Sequence, residues 1–112
     1  MLTRDQILAL SDVVIQKVVM PEWGGEVFIR TMTGEDFLLL ESMRPGKDGE
    51  DKDSLEKTIV LCTCNELGER LFTEADIPTL KKKSFASLQR LAAAILAHNS
   101  LTTEGLDDAE KN

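Results

Sequence analysis

The chain has 112 residues, 42% of them hydrophobic and 29% charged, with a net charge of -7. That length fits one domain able to bury a core, and the mix of apolar and charged residues excludes a wholly disordered chain. The acidic excess repels phosphate, so neither nucleic acid nor an anionic membrane is an expected partner, and no apolar run approaches the roughly 20 residues that cross a bilayer.

Thr3-Arg4-Asp5-Gln6 has the layout of a capping box and predicts a short helix through Leu10 carrying Ile7 and Leu8. The same N-terminal residues lack the basic-then-apolar order of a signal peptide, so a cytoplasmic protein is expected. Val13 to Met20 is β-branched and apolar and reads as a strand. Pro21-Glu22-Trp23-Gly24-Gly25 is turn chemistry, and Glu26 to Met32 reads as the returning strand of a hairpin. Thr33-Gly34-Glu35-Asp36 starts a helix, with its acids placed where the helix dipole favours them, and Pro45 stops it after Arg44.

The run 45–53 has no apolar residue and predicts a mobile, solvated loop. Ser54 is placed to cap a helix from Leu55 to Asn65, on which Leu55, Ile59 and Cys62 share a face; residues 58–64 also fit a strand. Glu66 to Arg70 reads as a turn. Thr73 or Asp76 caps a short helix through Leu80 that tolerates Pro78 in its first turn. Ser84 caps the last long helix, Phe85 to His98, with Phe85, Leu88, Leu91, Ala92, Ile95 and Leu96 as its buried stripe. The expected architecture is α+β: an N-terminal helix and a β-hairpin followed by three to four helices, in one domain over 1–100. The remainder, 101–112, reads as an acidic, frayed or weakly helical tail.

Residues able to do chemistry are scarce. One His and two Cys spaced Cys-x-Cys fall short of the roughly four ligands of a zinc site, so no metal is expected. Cys62 and His98 form the sole possible Cys–His pair, and both read as packing residues; Cys62 and Cys64 should remain thiols. No phosphate-binding glycine motif is present, so neither an enzyme nor a cofactor is expected. Lys81-Lys82-Lys83 reads first as a basic helix end offsetting the dipole, and second as a docking patch for an acidic partner. Trp23, in its Pro/Gly turn, has two readings: a cover for its own sheet or an anchor in another chain.

The segment VVIQKVVMPEWGGEVFIRTMTGED, ending at Asp36, resembles the N-terminal hairpin of the tail assembly chaperones of long-tailed bacteriophages. A second stretch, CNELGERLFTEADIPTLKKKSFASLQRLAAA, is similar to that family's other signature. The resemblance implies a folding helper, in the host bacterial cytoplasm, that coats the tape measure protein and keeps it soluble while tail subunits polymerise. It also implies a homo-oligomer, and a longer form, made by translational frameshift, whose extension recruits the tail tube protein. It carries over no catalytic residue.

Glu110-Lys111-Asn112 are compatible with codons forming an A-rich slippery run, and a broken run at the 3′ end of the gene would remove that expectation. Trp23, Met20, Met32 and Met43 are the candidate partner-binding residues, the methionines for their adaptable contacts. The rival readings are a small structural tail or head–tail connector subunit, and a regulatory adaptor with one tight partner.

Overall fold

The computed structural model describes residues 1–43 and 53–100. The sequence expectations for the tail, and for the 45–53 loop up to residue 52, fall outside the described residues. Asp53 itself is half-buried and pairs with Lys81.

Thr3 opens helix α1 (Arg4–Ala9) through the expected capping box. The Gln6 N–H donates to Thr3 Oγ1 at 3.2 Å, and the Thr3 N–H donates to Gln6 Oε1 at 2.9 Å. Strands β1 (Ile15–Met20) and β2 (Gly25–Arg30) form the hairpin, joined by a 3-10 turn at Pro21–Trp23. Gly24 closes that turn at φ 73°, a left-handed conformation that glycine adopts without penalty. Helix α2 (Gly34–Ser42) follows, its start fixed by reciprocal bonds of 3.0 Å between Thr33 and Asp36.

The helix-or-strand question at 58–64 resolves as both. Helix α3 runs Ser54–Cys62, then the chain turns extended at Thr63, and Thr63–Cys64 forms strand β3. Pairing with β2 is the cause: Ile29 stands opposite Thr63 and Phe28 opposite Cys64, which adds a third antiparallel strand in the order β1-β2-β3. Asp53, not Ser54, occupies the N-cap of α3. A turn at Asn65–Glu69 reverses the chain. Asn65 Oδ1 accepts from the N–H groups of Leu67 at 2.8 Å and Glu69 at 3.0 Å, and Gly68 takes φ 85°. A 3-10 turn at Glu74–Asp76 leads into α4 (Ile77–Leu80), and α5 (Phe85–His98) closes the fold, with Ser84 Oγ accepting from the Ser87 N–H.

In the hairpin register Val18 faces Val27 and Gln16 faces Ile29, so 18, 20, 27 and 29 point to one side of the sheet and 15, 17, 19, 26, 28 and 30 to the other. The first side carries the core. Met20 and Ile29 pack there with Ile59, Leu61 and Cys62 of α3, Leu80 of α4, and Leu88, Leu91 and Ile95 of α5. Phe85 departs from the expected stripe: as the first residue of α5 it is 66% exposed, whereas Ser87 is buried. Leu96 is only half-buried.

The other side of the sheet holds a buried ionic knot. Arg30 donates to both carboxylate oxygens of Asp36 at 2.8 Å, Arg70 donates to the same carboxylate, and Arg30 also reaches the carbonyls of Leu61 and Gly68 at 3.3 Å. Three segments distant in sequence are tied together there. Burial alone pushes the Asp36 carboxyl up, yet the Thr33 N–H and the Arg70 and Arg30 guanidiniums outweigh it and hold the group below its ordinary value.

Helix α1 stands apart from all this. None of its residues is buried, and Leu2, Ile7, Leu8 and Leu10 are exposed.

Candidate protein-binding surfaces

The turn at Pro21–Trp23 is held to α5 from below. Arg90 donates to the Glu22 carboxylate and reaches Met20 Sδ at 3.2 Å and the Val19 carbonyl at 3.5 Å. Pinned in this way, the turn presents Trp23 to a groove of about 420 Å³ lined also by Phe72, Asp76, Thr79, Leu80 and Lys83. Leu80 is buried and Phe72 half-buried against the core, so the groove floor is apolar. The Asp76 carboxylate accepts from the Thr73 N–H at 2.8 Å, which satisfies part of its charge locally. Trp23 is 39% exposed: one portion of the indole is covered by its own chain and the rest is open.

A second groove, of about 470 Å³, lies where α5 ends, between Met32, Phe37 and His98. It is more polar and tightly wired. Asn99 Oδ1 accepts from the Met32 N–H at 2.6 Å, and its Nδ2 donates to Ile95 O at 2.9 Å. His98 Nδ1 lies 2.8 Å from Gln16 Oε1 and Nε2 lies 3.0 Å from Val14 O, so the ring ties α5 to the start of the hairpin.

The four candidate contacts do not converge. Trp23 and Met32 line different grooves. Met20 is a correction: at 0% exposure it belongs to the core, because its parity in β1 turns it inward onto α5, and it meets no partner without opening the fold. Met43 is half-buried against the core at the C-cap of α2, its carbonyl accepting from Lys57 Nζ.

The exposed aliphatic and aromatic side chains were the larger omission. On α2, Phe37, Leu38 and Leu39 are exposed, Leu38 at 69%; α1 adds Leu2, Ile7, Leu8 and Leu10; the outer face of the hairpin adds Ile15 and Val19. The α2 signal was readable. Four consecutive apolar residues, Phe37 to Leu40, span more than a full helical turn at 3.6 residues per turn, so they cannot all face one core.

The reactive residue types are placed as packing groups. Burial, helped by the Asp36 carboxylate, pushes the Cys62 thiol up to about 12, and burial raises Cys64 as well, so neither offers a thiolate near neutrality. The ring nitrogens of His98 face Gln16, Val14 and Thr31. Among the described residues no group of three or more His, Cys, Asp or Glu is placed to hold a metal ion, and no helix is long and apolar enough to cross a membrane. What the arrangement offers is apolar contact area beside charge.

No protein-family model matches the chain, and no curated protein sequence matches it. Its fold is similar to that of a solved structure, the tail assembly chaperone of bacteriophage HK97. The two superpose with a TM-score of 0.57 at 20% identity, over 80% of this chain and 92% of the other. At that identity the likeness is one of fold.

Proposed function

We propose that this chain is a tail assembly chaperone of a long-tailed bacteriophage. In this reading it binds the tape measure protein in the host cytoplasm and keeps it soluble until the tail tube forms around it. The observation that carries the reading is the fold shared with the HK97 tail assembly chaperone, which agrees with the two sequence stretches that resemble the same family.

The surface chemistry supports it. A protein that shields an apolar helical rod needs apolar area of its own, and α1, α2, the hairpin and the Trp23 groove leave such area uncovered. Each 100 Å² of apolar surface covered is worth about 2.5 kcal/mol before the costs of association. Several modest contacts repeated along a rod by an oligomer sum through effective concentration. The net charge of -7 keeps the loaded complexes apart by repulsion. A frameshifted longer form would add the segment that recruits the tail tube protein.

Co-expression with the tape measure protein of the same phage tests this directly. The expected result is tape measure that stays soluble only in the presence of this chain and co-purifies with it. Equal precipitation with and without the chain would sink the proposal. Recovery of the chain in purified virions would favour a structural tail or head–tail connector subunit instead.

A further inference from the structure

We infer that the Trp23 groove selects a partner helix whose apolar anchor is flanked by acidic side chains, with Lys83 and its neighbour Lys82 supplying the selection. The inference rests on the reading above that the chain works by binding protein helices, and it adds what such a helix must carry.

The groove favours a helix over an extended segment. Its walls are the hairpin turn, the 3-10 turn at Glu74–Asp76 and α4, and no free strand edge lines it. An extended peptide would find no ladder of backbone partners there, whereas a helix satisfies its own backbone and needs only a pocket for anchors spaced three or four residues apart. Trp23, Phe72 and Leu80 supply that pocket, and its volume of about 420 Å³ suits a few apolar side chains.

Charge then sets the flank. With 20 acidic against 13 basic residues, the chain as a whole repels an acidic partner. Against that background the run Lys81-Lys82-Lys83 brings cations to the groove. Lys81 is committed to Asp53, which raises its own pKa and lowers that of Asp53. Lys83 lines the groove, and neither it nor Lys82 has an ion-pair partner among the described residues. Asp76, the one acid in the lining, already accepts from the Thr73 N–H. Lys83 in the lining and Lys82 next to it in sequence thus set two ammonium groups, without an ion-pair partner among the described residues, against the single carboxylate of Asp76. An acidic flank gains there and a basic flank loses.

The test uses two Trp-free amphipathic helical peptides with the same apolar face, one flanked by Glu and one by Lys. Each is titrated into the full chain while the emission of Trp23, the sole Trp, is followed. The Glu peptide should shift the Trp23 emission and bind about five- to ten-fold more tightly than the Lys peptide, the scale of one or two rim ion pairs, with the gap closing as salt is raised. The exposed substitution Lys83→Glu should invert the order while leaving the far-ultraviolet circular dichroism unchanged.

Equal affinities for the two peptides, or no change in Trp23 emission with either, would overturn the inference. Co-expression of Lys83→Glu with the tape measure protein separates the two proposals. If the wild-type chain solubilises the tape measure and Lys83→Glu does so equally, the groove inference fails and the chaperone reading stands. If the wild-type chain itself fails, the chaperone reading falls, and the peptide titrations alone decide what the groove selects.

Discussion

The Thr63 hydroxyl lies in the core, at 0% exposure, with no hydrogen-bond partner among the described residues. A buried hydroxyl left unsatisfied costs roughly 1–3 kcal/mol, and valine has nearly the same shape. Thr63→Val should therefore raise the urea midpoint, by about 1 kcal/mol of added stability. The opposite is expected at Asp36, where one carboxylate satisfies two guanidiniums. Asp36→Asn should cost about 3 kcal/mol, since it leaves Arg30 buried without its counter-charge.

The pH dependence follows from the lowered Asp36 pKa. Its stabilising contribution is fully present above the unfolded carboxylate value of 3.8 and is lost as pH falls from there through the lower folded value. Urea melts between pH 7 and pH 3 should show a shallower acid loss for Asp36→Asn than for the parent chain. Neither residue's role was legible in the sequence. Thr63 lies in the stretch that fits helix or strand alike, which leaves its burial open, and the knot depends on Arg30 and Arg70 meeting across the turn at Asn65–Glu69.

Elements were more legible where their cause is local. The caps at Thr3, Thr33 and Ser84 and the Pro/Gly turn act within four residues, so reading them in order placed α1, α2, α5 and the hairpin. Strand β3 falls inside the 58–64 stretch that also fits a strand, but its bounds are not legible, because two residues become a strand only when β2 stands beside them. At α1 the capping box places the helix without saying whether anything covers it. Alternation of apolar and polar residues says which face a helix would bury, and says nothing about whether anything lies there to bury it. Since α1 contributes no residue to the core, removing 1–12 should change the unfolding free energy by less than about 0.5 kcal/mol. The same truncation should lower the yield of soluble tape measure in co-expression, because the exposed Leu2, Ile7, Leu8 and Leu10 are lost with it. A large drop in melting temperature would show instead that α1 holds the fold.

At the scale of the molecule, helices cover one face of a three-stranded sheet, while much of the other face, α1 and part of α2 stay open. Sequence reasoning reaches one wall of the first groove, Trp23 in its turn. The other wall runs from Phe72 to Lys83, and only tertiary packing brings the two together. Side-chain chemistry singles out the methionines but carries no direction, and strand parity turns Met20 inward. The separation of α1 from the core also bears on how such a protein changes over generations. Positions in the core must satisfy each other, but Leu2, Ile7, Leu8 and Leu10 are exposed and contribute nothing to that packing. On the proposed chaperone reading their identities are free to drift with whatever they meet, so that a lineage would acquire a new client by rewriting this arm and leave the rest of the chain untouched.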